Sequence, residues 1–291
     1  MSNLLDLVGN TPLVALTHLH DNPKVKIFGK LEGDNPGGSV KDRAAKSMIQ
    51  GALERGEIKA GTKLIEATSG NTGIALAMIA RLYGIEIELA MPSNSTKERV
   101  LTMEAFGAKV TLTETIESAR DYAIEKSKSG EFILLNQFEN PDNYLAHYRT
   151  TGPEIYRDTQ GKITHFVSSM GTTGTIMGTS MYLKEQNPDI QIVGCQPTEG
   201  SKIPGIRRWP IEYRPKIYDP SRVDRILDVS EQDAIEMTRK LAKVEGVFGG
   251  MSSGGGVSAS IRLANELEEG LIVCIICDRG DRYLSSGLFG D

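Results

Sequence analysis

The 291-residue sequence lacks the features that mark several common classes of protein. Its longest strongly apolar run is LIVCIIC, residues 271–277, which is far too short to span a bilayer. No run of like charges stands out and the net charge is only −5, so a nucleic-acid face or a polybasic membrane patch is not expected. The first residues, MSNLLDLVGNTPLV, contain no cationic segment followed by an apolar one, so we expect no signal peptide and a soluble, cytoplasmic protein.

Motifs for metal and nucleotide sites are missing as well. The sequence has four histidines, and their spacing matches neither HExxH nor a related metal-binding pattern. No glycine stretch ends in the Gly-Lys-Ser/Thr of a P-loop, and none has the G-x-G-x-x-G spacing of a Rossmann turn. We therefore expect no metal ion and no standard nucleotide site.

Cysteine is scarce, with only Cys195, Cys274 and Cys277 in the chain. The last two have C-x-x-C spacing, which can indicate a redox or zinc site. The residues around them, however, indicate a buried strand, in which positions i and i+3 face opposite sides. Buried thiols that pack as small hydrophobic groups are therefore the favoured interpretation.

Short β-rich runs alternate with amphipathic helical stretches along the chain. KLIEAT (63–68) precedes GIALAMIARLYG (73–84), and the same alternation continues to LIVCIIC. Further helices are predicted at about 145–158, 230–245 and 254–268. Strands and helices in this rhythm predict an α/β fold with parallel sheets that helices cover on both faces.

One long irregular connection, residues 197–224, interrupts the alternation. It contains the only tryptophan of the chain. Connections of this length in compact proteins usually form lids or binding loops, so we expect this one to contribute to a site. The alternative is a plain surface excursion.

Three glycine-rich stretches lie at a strand-to-helix junction or just ahead of a helix. ATSGNTG (67–73) offers hydroxyls, an amide and backbone N–H groups to a small anion such as a carboxylate. SSMGTTGTIMG (168–178) can wrap a phosphate at a helix N-terminus, and GGMSSGGG (249–256) is the third stretch. The phosphate-binding residues are expected to be Gly171, Thr172, Thr173, Gly174 and Thr175. Because parallel strands share the edge where ligands bind, the loops are expected to form one site.

Lys41 follows a Gly-Gly-Ser turn in GDNPGGSVKDR, residues 33–43. It is either a solvated charge at the start of a helix or a reactive amine delivered to a site. A phosphate, a carboxylate and a lysine amine without metal ligands fit pyridoxal phosphate chemistry on an amino acid, in which a lysine holds the cofactor as a Schiff base. The alternative from another class is a non-catalytic module that binds a nucleotide through its phosphate loops.

Nearly the whole chain resembles the cysteine synthases, or O-acetylserine sulfhydrylases, which are tryptophan-synthase-β-like (fold type II) pyridoxal phosphate enzymes. The motifs that carry the resemblance, in the family's order, are GNTPL (9–13), NPGGSVKDRAA (35–45), EATSGNTGIALA (66–77), GTTGT (171–175) and SSGGG (252–256). Within the family, GIRRWPIEY (205–213) and ICDRGDRYLSSGLFG (276–290) are similar to the B-isozyme branch.

The resemblance implies an α/β architecture of two three-layer domains with largely parallel, twisted sheets and pyridoxal 5'-phosphate in the cleft between them. A smaller, mobile, substrate-binding domain is expected at 36–147. Residues 1–35 and 148–291 are expected to form the larger domain, which binds the cofactor phosphate. The resemblance also implies a homodimer, and no complex with serine acetyltransferase is expected in the B branch.

The resemblance further implies a β-replacement that makes L-cysteine, or S-sulfocysteine, from O-acetyl-L-serine and sulfide, or thiosulfate, through an α-aminoacrylate intermediate. Lys41 is the implied Schiff-base lysine, whose freed amine then takes the Cα proton. Asn71 is expected to bind the ring oxygen of the cofactor, and Ser252 to face its pyridine nitrogen. The implied ligands of the substrate carboxylate are Thr68, Ser69, Thr72 and Gln137.

Arg207 and Arg208 bear on substrate choice. An arginine at the mouth of the site could attract an anionic sulfur donor such as thiosulfate; alternatively, both only tie the loop down through salt bridges. A cation near the leaving group would favour O-phosphoserine over O-acetylserine, so O-phosphoserine stays an alternative amino-acid substrate. Another type II reaction, such as serine or threonine dehydration, is the remaining alternative among enzymes.

Overall fold

The computed structural model describes residues 3–290, which form ten strands and nine α-helices. The strands are β1 Leu13–Ala15, β2 Val25–Leu31, β3 Lys63–Ala67, β4 Glu86–Pro92, β5 Lys109–Thr113, β6 Ile133–Leu134, β7 His165–Ser169, β8 Gln191–Pro197, β9 Arg225–Val229 and β10 Gly270–Ile276. The helices are α1 Lys41–Glu54, α2 Asn71–Leu82, α3 Lys97–Ala105, α4 Ile116–Ser127, α5 Pro141–Arg149, α6 Thr151–Asp158, α7 Gly174–Gln186, α8 Glu231–Lys240 and α9 Met251–Ala264. Within this range, every helix falls short of the length and apolar character that crossing a bilayer requires.

The strands form two sheets. The larger has six strands in the order β1-β2-β10-β7-β8-β9, and its only antiparallel pair is β1 with β2. The smaller has four strands in the order β5-β4-β3-β6, all parallel. The predicted α/β class with largely parallel sheets is therefore confirmed.

The interior strands of both sheets are buried along most of their length, as expected when helices cover both faces. In the smaller sheet, β4 is buried at every position after Glu86. Helix α2 packs against this sheet and against α1, and all of residues 72–80 in it are buried. The first turn of α2 is consequently fixed by a packed core, directly after β3.

Some boundaries differ from the sequence-based expectation. The sequence pattern predicts no strand before residue 63, whereas β1 and β2 lie there. Strand β2 is hard to recognise from its sequence because a charged residue, Lys30, occupies one of its buried positions. The helix predicted at about 145–158 is two helices, α5 and α6, which meet at Thr150, where the backbone leaves the helical region with φ −129° and ψ −67°.

Most of the third glycine stretch, residues 251–256, lies inside a helix and not ahead of one, since α9 begins at Met251. Its glycines provide room for a neighbouring helix. A Cβ at Gly254 would collide with the Thr238 side chain and the Ala234 carbonyl group of α8. The sequence-based prediction was wrong here because a glycine that permits close packing looks the same as a glycine that makes a turn.

Candidate active site

A cavity lies at the carboxyl ends of β3, β7 and β10, the edge where ligands bind in parallel sheets. The predicted site residues that line it are Lys41, Ser69, Asn71, Thr72, Gln137, Gly171, Thr172, Thr175, Arg207 and Ser252. The predicted residues that do not line it are Thr68, Thr173, Gly174 and Arg208. The structure therefore brings the lysine and both anion-binding loops to one cavity.

Lys41 is the first residue of α1, and the turn before it is tied to the end of β10. The N–H of Val40 donates to the Cys277 carbonyl oxygen at 2.8 Å. Burial lowers the pKa of the Lys41 amine, while the nearby Cys277 and Asp278 act in the opposite direction. A buried amine with a lowered pKa is more readily available in its neutral, nucleophilic form than an exposed lysine.

The loop after β3 presents Ser69, Asn71 and Thr72 to the cavity. Thr68 stabilises this loop: its buried hydroxyl accepts hydrogen bonds from the N–H groups of Gly70 and Gly73, both at 3.0 Å. At Gly70 the φ angle is +144°, a conformation that favours glycine. Thr68 thus shapes the turn, and its hydroxyl is not part of the cavity surface, contrary to the sequence-based expectation.

Gln137 joins this loop from the segment after β6. Its Nε2 donates to the Ala67 carbonyl oxygen at 2.6 Å, and its Oε1 accepts from the Thr72 hydroxyl at 2.8 Å. The carboxylate of Glu66 lies behind it and accepts the N–H groups of Asn136 and Gln137 at 2.9 and 3.3 Å. Burial raises the pKa of Glu66 to about 8, although these backbone donors lower it. Glu66 was not predicted as a site residue, and it acts here as a support for Gln137.

The loop after β7 forms a cradle for an anion. Thr173 has a left-handed backbone (φ +71°) and stands at the N-terminus of α7 without making a side-chain cap. Its hydroxyl is buried and has no hydrogen-bond partner within residues 3–290. A Cβ at Gly174 would collide with the side chain of Asn143, which donates to the Thr172 hydroxyl at 3.1 Å. The free N–H groups of this uncapped helix N-terminus and the unpaired Thr173 hydroxyl can bind an anion such as phosphate. Gly174 is required because Asn143 leaves no space for a side chain at this position.

His147 contacts this anion cradle through Thr175. The residue is buried, its Nδ1 lies 2.8 Å from the Thr151 hydroxyl, and its Nε2 lies 3.4 Å from the Thr175 hydroxyl. Burial, with a smaller contribution from Arg43, lowers the pKa of His147 to about 3. The imidazole is therefore neutral at physiological pH and serves as a structural partner.

The two adjacent arginines have different surroundings. Arg207 lines the cavity, and burial lowers its pKa. Arg208 points to the surface, where its Nη2 lies 2.7 Å from Asp228 Oδ2 and its Nε donates to the Pro197 carbonyl oxygen at 3.1 Å. Of these two arginines, Arg207 is therefore the one that can meet a ligand in the cavity.

Several lining residues were not predicted. Trp209 donates from Nε1 to the Gly171 carbonyl oxygen at 2.7 Å and packs edge-on against Phe138, with ring centroids 5.5 Å apart. Cys277 also lines the cavity, and burial raises the pKa of its thiol to about 11, whereas Cys195 and Cys274 are buried in the hydrophobic core as expected. The position of Cys277 directly after a parallel strand was the signal that could have placed it at the site.

The residues present fit pyridoxal phosphate. The cavity combines a buried amine at Lys41, an anion cradle after β7 and a second anion-binding loop after β3. Within residues 3–290, no group of three or more histidine, cysteine or acidic side chains is arranged to hold a metal ion.

Comparison with known proteins agrees with this chemistry. Residues 4–278 match the family model described as pyridoxal-phosphate dependent enzyme. Cysteine synthase B of Pseudomonas aeruginosa is 59% identical over 289 residues, which cover 98% of this chain and 97% of that protein. The chain belongs to the pyridoxal-phosphate-dependent enzymes and, within them, to the cysteine synthase family.

Other relatives support the assignment. Cysteine synthase B of Salmonella typhimurium is 58% identical and covers 100% of this chain and 97% of that protein. The crystal structure of cysteine synthase (OASS) from Entamoeba histolytica is 38% identical, with a TM-score of 0.92 over 100% of this chain and 91% of that chain. The predicted cofactor, the fold type II architecture and the resemblance to the B branch are thereby confirmed.

Proposed function

We propose that the chain makes L-cysteine by β-replacement, with O-acetyl-L-serine as the amino-acid substrate and sulfide or thiosulfate as the sulfur donor. The observation that carries the proposal is the convergence of Lys41 with two anion-binding loops at one cavity, in a chain that is 59% identical to a cysteine synthase B. Lysine, phosphate cradle and carboxylate loop are the three contacts that a cofactor-bound amino acid requires.

Lys41 is the proposed catalytic residue. When bound, pyridoxal phosphate supplies an electron-withdrawing ring that weakens the bonds at the substrate Cα. Lys41 Nζ would hold the cofactor and, when released from it, would be placed to take the proton from the substrate Cα. Because burial lowers the pKa of Lys41, a larger share of the amine is in the neutral form that can accept this proton.

We assign the substrate carboxylate to Ser69, Thr72 and Gln137. All three line the cavity. Ser69 and Thr72 stand at the N-terminus of α2, where the helix dipole favours a negative charge, and Gln137 is hydrogen-bonded to Thr72. Thr68, also expected here, contributes by holding the turn through its two backbone contacts.

The cofactor's own contacts are assigned to three regions of the cavity wall. Gly171, Thr172 and Thr175 would hold the phosphate, and Thr173 and Gly174 would shape the loop that presents it. Asn71 would bind the ring oxygen. Ser252, a buried hydroxyl on the first turn of α9, would meet the ring nitrogen.

Arg207 is proposed to bind an anionic sulfur donor. Its guanidinium group is desolvated at the cavity wall, where an anion would compensate the loss of hydration. Arg208 is instead assigned to tying down the 197–224 loop through Asp228, which supports the salt-bridge alternative for this residue.

We also propose that 36–147 form the smaller, mobile domain that closes over the substrate, and that 1–35 with 148–291 form the larger one. In support, all four strands of the smaller sheet lie between residues 63 and 134, and each strand of the larger sheet lies outside 36–147. The homodimer, the cytoplasmic location and the absence of a serine acetyltransferase complex stay predictions of the resemblance.

The proposal is tested by absorption spectroscopy on the purified protein, with product analysis. We expect a visible cofactor band that moves to longer wavelength with O-acetyl-L-serine alone and returns when sulfide or thiosulfate is added, with formation of L-cysteine or S-sulfocysteine. Lys41→Ala should lose the cofactor on gel filtration. A yellow protein that forms pyruvate or ketobutyrate and ammonia, but no cysteine, would show a dehydratase instead.

A further inference from the structure

Asn71 stands at the cavity wall with both ends of its side-chain amide engaged by the C-terminal part of the chain. Its Oδ1 accepts a 2.6 Å hydrogen bond from Arg282 Nη1. Its Nδ2 donates a 2.7 Å hydrogen bond to Asp278 Oδ2. Residues more than 200 positions away in sequence therefore determine how this amide is held.

The chemistry of these two partners fixes which way the amide points. A guanidinium group can only donate hydrogen bonds, and a carboxylate accepts them, so an exchange of Oδ1 and Nδ2 would oppose like groups at both contacts. Asn71 Nδ2 carries two hydrogens, and Asp278 takes one of them. The remaining N–H makes Asn71 a donor toward the cavity, which suits an anionic or strongly accepting oxygen on the ligand.

Arg282 makes a second contact, to the turn that leads to Lys41. Its Nη2 donates to the Gly37 carbonyl oxygen, and the N–H of Gly37 donates to the Asp42 carboxylate. A Cβ at Gly38 would lie 2.7 Å from Arg282 Nη2, so a larger residue there would displace this guanidinium group. One guanidinium group thus connects the lysine-bearing turn with the amide of Asn71.

Asp278 is itself held firmly. Its Oδ2 also accepts a 2.8 Å hydrogen bond from the hydroxyl of the buried Tyr283. The guanidinium group of Arg99, on α3, lies over the Tyr283 ring at 4.9 Å from its centroid. The segment that carries Asp278 and Arg282 is therefore a packed support and not a free tail.

We propose that Arg282 and Asp278 are positioning residues that hold the Asn71 amide as a donor toward the cofactor. Arg282 also fixes the position of this amide relative to the turn that leads to Lys41. The inference rests on the proposed function in one respect, since it requires pyridoxal phosphate in the cavity. The ring oxygen of that cofactor would receive the free N–H.

Cofactor titration of the apoenzyme without substrate tests the proposal. Trp209 is the only tryptophan and lines the cavity, so the quenching of its fluorescence reports binding directly. Arg282→Gln and Asp278→Asn should each weaken pyridoxal phosphate binding about tenfold and shift the visible band of the bound cofactor. Arg282→Lys, which keeps a charged donor, should recover part of the loss.

Arg279→Gln is the matched control, because Arg279 is largely exposed and pairs with Asp281 at 3.2 Å. In an Asn71→Ala background, Arg282→Gln should change the cofactor Kd much less than the tenfold expected in the parent, because the amide target is gone and only the contact with Gly37 is left to lose. Equal losses in both backgrounds, or an Arg282→Gln variant that binds like Arg279→Gln, would overturn the proposal. A chain that binds the cofactor normally but does not use O-acetyl-L-serine would refute the proposed function alone.

Discussion

The Thr72 hydroxyl donates a 2.8 Å hydrogen bond to Gln137 Oε1 and so joins the two segments that line the proposed carboxylate site. Gln137 also donates from Nε2 to the Ala67 carbonyl oxygen at 2.6 Å, which fixes the orientation of its amide. One Nε2 hydrogen is then left for a ligand. The amide therefore distinguishes an anionic ligand, which it can bind, from a cationic one.

Replacing this amide with a carboxylate should repel the substrate. In Gln137→Glu we expect the KM of O-acetyl-L-serine to rise about a hundredfold, because a buried like charge would face the substrate carboxylate. Gln137→Ala, which removes hydrogen bonds without adding charge, should raise the KM only about tenfold. Steady-state kinetics at saturating sulfide measure both. Equal KM values for the two variants would place the substrate carboxylate elsewhere.

A buried cluster of charges fixes α1 to the larger sheet. Arg43, two residues after Lys41, forms paired hydrogen bonds to the Glu32 carboxylate at 2.7 and 2.8 Å. It forms another pair to Glu154 on α6 at 2.6 and 2.7 Å. Lys30 on β2 lies 2.8 Å from the same Glu154 carboxylate. The start of the lysine-bearing helix is thus anchored at two points of the fold.

Arg43→Met should lower the free energy of unfolding by about 3–5 kcal/mol, since it leaves buried carboxylates without their main partner. Urea unfolding of the holoenzyme measures the loss. Arg157→Met is a suitable control, because Arg157 is exposed and pairs with Asp158 at the surface, and its loss should be much smaller. If both variants were equally stable, the cluster would not anchor α1.

Much of the site follows from one rule about parallel sheets. The glycine stretches at 67–73 and 168–178 each follow a buried strand, and the carboxyl ends of such strands meet at one edge. That rule places Asn71 and Thr172 at ligand-binding edges, but β3 and β7 belong to different sheets. Only the fold brings the two edges to one cavity with Lys41. Cys277 follows from the same rule, once LIVCIIC is interpreted as a strand of the sheet that contains β7.

Long-range pairing is what the sequence pattern could not show. Arg43 and Glu154 are 111 positions apart, and no local period relates them. Arg207 and Arg208 are adjacent and chemically identical, and only the fold determines that one lines the cavity while the other meets Asp228. The role of Thr68 depends likewise on a turn geometry that its residue type does not reveal.

The charge cluster should also shape the response to acid. Burial alone would raise the pKa of Glu154, but its contacts with Arg43 and Lys30 outweigh burial and lower the pKa to about 2, from an ordinary value of 4.5. A depressed carboxyl pKa contributes stability that is present above about pH 4.5 and is lost as the pH falls toward 2. Unfolding free energies measured across this range should decline less steeply in Glu154→Gln. An unchanged slope would show that other carboxyl groups dominate acid unfolding.

The different surroundings of Arg207 and Arg208 predict different effects of their removal on the KM values of the two sulfur donors. Arg207→Ala should raise the KM of thiosulfate about tenfold or more, because a desolvated guanidinium group at the cavity wall binds a dianion strongly. Sulfide is small and carries less charge, so its KM should change little. The backbone bond from the Arg207 N–H to the Met170 carbonyl oxygen, at 2.9 Å, is retained in the variant, which preserves the loop.

Arg208→Ala is the matched control, since it removes a neighbouring guanidinium group that pairs with Asp228 outside the cavity. It should leave both donor KM values within about twofold of the parent, with at most a small loss of stability. Thiosulfate binding that responded equally to the two substitutions would indicate a general electrostatic effect of the loop. An Arg207→Ala variant with unchanged thiosulfate KM would exclude this residue as the donor contact.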